Sequence, residues 1–150
     1  MIFKKKTIRI VSLCIAMILL LSSTAFGATP TQDNIEASDY IAMTGASASR
    51  TGNTVRIDFE IQGTSSMIKI GSTYIYLYSI DSTGHEALEK TYYYLSGEPY
   101  ASQMMGYFTG YHDGYVTYAG SSGYTYYAAV VLYANDSTGG DTRVRFTNEV

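Results

Sequence analysis

The chain has 150 residues, 46% of them hydrophobic, with 16 tyrosines, no tryptophan and a single cysteine. Ten basic against thirteen acidic residues give a formal charge of −3, which argues against nucleic acid as a partner, because phosphate binding needs a basic surface. One cysteine excludes an intramolecular disulfide, so the fold has to be held by packing.

Lys4, Lys5, Lys6 and Arg9 form a basic start, Ile10 to Leu21 is apolar, and Ala25-Phe26-Gly27 offers small residues at both positions that a signal peptidase inspects. The pattern predicts an export signal over 1–27, cleaved before Ala28. An apolar run of about a dozen residues falls short of the roughly twenty that a spanning helix needs. Cys14 lies inside this run, too early for a lipoprotein anchor, and Phe146 to Val150 carries neither a hydrophobic tail nor a basic sorting end. The mature chain is therefore expected to be secreted, cysteine-free and without a membrane anchor. It keeps Arg50, Arg56, Lys69, Lys90, Arg143 and Arg145, six basic against thirteen acidic residues, for a formal charge of −7. The lysine-rich start resembles Gram-positive bacterial signals.

A polar lead-in over 28–36 precedes one domain over 37–150, in which short strand-forming stretches alternate with Gly, Ser and Asp clusters. Tyr40 to Ser49 reads as a strand, and Arg50-Thr51-Gly52-Asn53 as its turn. Val55, Ile57, Phe59 and Ile61 alternate with Arg56, Asp58, Glu60 and Gln62, which predicts a strand with one dry and one wet face. Gly63 to Ser66 reads as a loop, and Met67 to Gly71 as a turn or a bulged strand start. Thr73 to Ile80 and Glu86 to Leu95 are expected to form a hairpin about Asp81-Ser82-Thr83-Gly84. Ser96 to Gln103 is a loop. Met104 to His112 and Tyr115 to Ala119 flank Asp113-Gly114, which is either a hairpin turn or a bulge in one longer strand. Tyr124 to Ala134 and Asp141 to Thr147 complete the set.

Seven or eight strands at roughly ten-residue spacing, with no helical period beyond the signal, predict an all-β fold, an antiparallel sandwich with a closed barrel as the alternative. Gly123-Tyr124-Thr125-Tyr126-Tyr127-Ala128-Ala129-Val130 resembles the penultimate strand of immunoglobulin-like and fibronectin type III-like domains. There a tyrosine enters the strand after a corner and a small residue follows two places on, the positions of Tyr126 and Ala128. The resemblance implies an immunoglobulin-like β-sandwich of the kind found in small secreted Gram-positive proteins. Ala128 stands where immunoglobulin domains have a cysteine, no partner cysteine lies near Ile57, and the third strand has no tryptophan. It implies a fold and no activity.

Residues with chemical potential are sparse. His85 and His112 read as solvated turn residues, and no further ligands stand at metal-binding spacing. Asn135, Asp136 and Asp141 match no calcium loop and suit a hairpin turn. No serine sits in a nucleophile elbow. Asp58 and Glu60 form a superficial carboxylate pair on a wet strand face, which lacks the desolvation that general-acid work requires. The reading is non-catalytic, with no cofactor and no metal.

Tyrosine placement carries more information. Tyr74, Tyr76 and Tyr78 share a strand face opposite Ile75 and Leu77, while Tyr127 and Tyr133 share a face with Ala129 and Val131. The immunoglobulin-like order sets these strands side by side, flanked by Glu86–Leu95 and by the last strand. With Val144 and Phe146 expected inward, Arg143 and Arg145 join Tyr74, Tyr76, Tyr78, Tyr127 and Tyr133 on one outer surface, extended by Tyr92 or Tyr93. That surface is expected to serve only as good strand formers or to recognise a surface glycan or protein, with self-association in an extracellular matrix as the alternative and a secreted hydrolase as the weaker one.

Overall fold

The computed structural model describes residues Ser38–Val150; the expected signal over 1–27 and the lead-in over 28–36 lie outside the described residues. The described chain is all-β, one antiparallel sheet of six strands curled into a half-barrel. The elements in order are β1 (Ile41–Thr51), β2 (Thr54–Ile80), β3 (Glu86–Tyr93), a one-turn helix α1 (Ala101–Met104), β4 (Met105–Ala119), β5 (Thr125–Asn135) and β6 (Gly140–Phe146).

The organising element is β2. Its first half follows the alternation read from the sequence: Val55, Ile57, Phe59 and Ile61 are at most 3% exposed, while Arg56, Glu60 and Gln62 face out. It does not end at Gly63. It runs through Gly63-Thr64-Ser65-Ser66 as a 27-residue strand, so the expected strands at Val55–Gln62 and Thr73–Ile80 are one. The small polar residues supply a bend and not a loop, since the register against β4 slips between Gln62 and Met67 and that against β5 between Ser72 and Tyr74. Such bulges kink and twist a strand without ending it. Likewise Asp113-Gly114 does not turn: Asp113 pairs with Glu60 and Gly114 with Phe59, inside a continuous β4. These two mergers account for six strands where seven or eight were expected.

The bend divides the sheet by function. Before the bend β2 lies between β1 and β4; β4 continues past it as far as Gly71, β5 takes up the other edge, and from Tyr74 onward β2 lies between β3 and β5, with β6 outside β5. Curling brings the inner faces together around one core, in which Ile57, Phe59, Met67, Ile75, Leu77, Val116, Val130 and Leu132 meet. At the bend α1 packs so closely that a Cβ on Gly71 would meet the Met104 carbonyl and one on Gly114 the Gln103 carbonyl. Only glycine permits such backbone approach within a strand. His112 takes part here: it sits within β4 opposite Ile61, half-buried, with Nε2 2.9 Å from the Gln103 carbonyl, and is not the solvated turn residue expected.

Side chains close the remaining gaps. Asn148 accepts from the Ala48 N–H and donates to the Ala48 carbonyl, both at 3.0 Å, so its carboxamide pairs with β1 as a peptide group would. Arg50 donates to the Tyr124 and Ser121 carbonyls at 2.7 and 2.9 Å. On the other side, Glu89 accepts from Ser79 Oγ and the Tyr118 hydroxyl, linking the two halves of the sheet. Tyr126 is 2% exposed, and its hydroxyl accepts from the Ser121 N–H at 2.8 Å.

Two turns owe their shape to aspartates. Asp81 Oδ1 accepts from the Thr83 hydroxyl and from the N–H groups of Thr83 and His85; Asp136 Oδ1 accepts from the Thr138 hydroxyl and the N–H groups of Thr138 and Gly139. The threonine hydroxyls foremost, then the N–H groups, hold both carboxyls below the ordinary aspartate range. A depressed native pKa stabilises the fold above the unfolded value and is lost as pH falls through the native one. The doubly substituted Asp81→Ala, Asp136→Ala protein should therefore melt below wild type at neutral pH, the difference shrinking as pH falls below about 4. A constant difference in thermal scans across that range would refute the linkage.

Candidate functional site

The outer face of β3, β2, β5 and β6 is assembled in register rows. One row runs Tyr93, Tyr74, Val131, Val144; the next runs Thr91, Tyr76, Ala129, Phe146; a third joins Leu88, Tyr78 and Tyr127. Tyr133 stands beyond them, paired with Gly71 and Thr142. The structure thus brings Tyr74, Tyr76, Tyr78, Tyr127 and Tyr133 to one surface, as the alternation implied. It also chooses between the two candidates on β3. Tyr92 points inward at 5% exposure and donates to the Thr117 carbonyl, with burial pushing its phenol up to about 12, whereas Tyr93 is 38% exposed on the platform.

Arg143 and Arg145 do not belong to this surface. They pair across from Leu132 and Val130, which are fully buried, and therefore lie on the opposite face of β6. Val144 and Phe146, expected inward, face outward at 40% and 60% exposure. The reason is positional: β6 borders the sheet, where the inner side is open enough for a charged side chain, and Arg143 is held there by Asp141 at 3.1 Å. The exchange makes the outer face more apolar than the sequence suggested, and its rows contain no charged residue.

Ring contacts stiffen the platform. Tyr74 lies nearly parallel to Tyr76 at 5.8 Å and edge-on to Tyr93 at 5.3 Å, and Tyr78 stacks with Tyr127 at 5.1 Å. Such pairs add about 0.5–1.5 kcal/mol each beyond area burial. Burial, then the Glu86 carboxylate, raises the Tyr127 pKa well above the usual phenol value, so this hydroxyl stays a donor throughout the physiological range.

A second surface lies on the outer side of β1, β2 and β4. An open cleft of about 420 Å³ is lined by Ser47, Asp58, Glu60, Tyr111, Asp113 and Tyr115, among others. Sequence reasoning isolated Asp58 and Glu60 but missed the rest, because the cleft unites the β1–β2 hairpin with β4, which is distant in sequence. Arg56 holds Asp58 with Nε–Oδ1 at 2.8 Å and Nη2–Oδ1 at 2.7 Å, and stacks over Tyr115 at 3.7 Å. Among the described residues no group of three or more His, Cys, Asp or Glu is placed to hold a metal ion, and no helix is long and apolar enough to cross a membrane. No protein-family model matches the chain, and no curated protein is significantly similar to it.

Proposed function

We propose that the chain is a secreted, non-catalytic β-domain that acts by contact, docking the outer face of β3, β2, β5 and β6 onto a glycan or protein at the cell exterior. The observation that carries this reading is the aromatic and aliphatic surface four strands wide, on which Leu88 and Phe146 are 54% and 60% exposed. Contiguous exposed apolar surface of this kind marks interaction sites on soluble proteins. The secreted location rests on Lys4 to Gly27, and the non-catalytic reading on the Asp58 carboxylate being held by Arg56. Two features support the immunoglobulin-like relation: β3, β2, β5 and β6 lie side by side, and the Tyr126 hydroxyl is tied to the backbone five residues upstream, as in a tyrosine corner. The continuous β2 is where this chain departs from that pattern.

The test combines export and contact. Exported protein should begin at Ala28 by N-terminal sequencing. Tyr76→Ser with Tyr133→Ser should leave cooperative unfolding intact while abolishing retention on isolated bacterial cell walls and immobilised surface glycans or proteins. Full retention by a folded double variant would reduce the tyrosines to strand formers.

A further inference from the structure

Building on that docking reading, we infer that the partner of the β3-β2-β5-β6 face is the same face of a second copy, in a two-fold symmetric pair. Three observations converge on this occupant. The face is ridged in a self-complementary way: along the second row Ala129, 7% exposed, lies between Tyr76 and the prominent Phe146, so a furrow runs beside two ridges on one surface. A two-fold axis lying between the two faces, parallel to the strands and midway between β2 and β5, seats the Tyr76 ridge of each copy over the Ala129 furrow of the other, the arrangement an isologous interface requires. Charge selects the same face. The rows from Tyr93 to Val144 and from Thr91 to Phe146 carry no ionisable acid or base apart from the tyrosine phenols, and the Glu86 carboxylate lies at one end of the face, engaged by Tyr127, so two copies of an acidic chain meet at the centre without opposing carboxylates. The cleft side, where Arg56 offsets only Asp58 and leaves Glu60 and Asp113, would set net negative charge against itself.

Twist agrees as well, since a sheet stacks best on a sheet of equal twist, aligned at about −30°, and a second copy supplies that twist by identity. A glycan fits less well. Outside the phenols, Thr91 and Thr142, the rows offer no side-chain donor or acceptor for sugar hydroxyls, and Ala129, Val131 and Val144 occupy their centre.

Area sets the strength. Four strands at about 4.8 Å spacing and six residues at about 3.4 Å cover on the order of 400 Å² per copy. That is roughly half the share each partner contributes to a standard stable interface, so the pair is reversible and forms in the high-micromolar to millimolar range. Because both copies use the same patch, assembly closes at two and does not propagate.

Sedimentation equilibrium on the mature chain from about 10 µM to about 1 mM should show the average mass rising from one copy towards two and no further. Phe146→Glu and, independently on the far side of the face, Leu88→Glu should each shift association at least about tenfold to higher concentration, since each buries an unpaired carboxylate against the apolar face of the other copy. Both positions are exposed, so both variants should unfold cooperatively near wild type. Asp113→Asn, in the cleft, should leave the mass curve unchanged. Wild-type protein that remains a single copy at the top concentration, variants that associate like wild type, or masses climbing past two would each overturn the pairing. If the wild type stays single while both variants lose retention on cell walls, the docking reading stands and only self-pairing falls; if retention is also unchanged, both fall.

Discussion

Phe59→Ala is expected to destabilise the domain by about 3–5 kcal/mol, the range for removing a large aromatic side chain from a packed core. Phe59 is 3% exposed and sits in the first half of β2, where its ring meets His112 at 6.0 Å between centroids. Its neighbours come from β1, β4 and α1, held in place by the bend and by Asn148, so little collapse into the vacated space is expected and the cost should lie towards the upper end. Chemical denaturation with an unchanged m-value would measure it directly. A loss under about 1 kcal/mol would mean that this core is loosely packed.

Gly114→Ala should be at least as damaging, although it adds a single methyl group. The new Cβ would run into the Gln103 backbone carbonyl and approach Phe59 Cζ at 2.7 Å. The ring can shift, whereas the carbonyl belongs to α1 and is held through His112. The prediction is a loss of about 3 kcal/mol or more, at the severe end for overpacking. Adding Phe59→Ala to Gly114→Ala should not restore stability, because it removes the yielding half of the clash and leaves the rigid half. Rescue by the pair would show that the ring, not α1, sets the constraint.

The two positions also mark how far the sequence could be read. Phe59 was legible because its neighbours alternate strictly between apolar and charged, and the dry face of a strand is the simplest pattern to recognise. Gly114 was not, since Asp-Gly has the composition of a hairpin turn, and the demand on this glycine comes from a carbonyl supplied by a different element. The same holds for Gly63 to Ser66, whose turn-forming residues serve as a bend because β4 pairs with β2 on both sides of it, with β1 before it and β5 after. Alternation along Thr142 to Phe146 separated two faces correctly but not which was inner; hydrophobicity favoured Val144 and Phe146, and the sheet border reversed the choice. The tyrosine platform was readable strand by strand, and the assumed strand order set its members side by side. The cleft was not, because Tyr111, Asp113 and Tyr115 reach Asp58 and Glu60 only through the long-range pairing of β4 with β2.

The Asn148 clasp on Ala48 joins residues separated by 100 positions, and Tyr40 reaches Thr138 across 98. β1 is thus closed by segments about a hundred residues further along the chain. Folding of such a domain is governed by non-local pairing, which places it among the slower small proteins, in the millisecond-to-second range. Until Asn148 arrives, β1 presents an unpaired edge, the kind of surface on which incompletely folded chains adhere to one another. Closure by a carboxamide in place of a seventh strand therefore ties the kinetic safety of the protein to the arrival of a single residue remote in sequence.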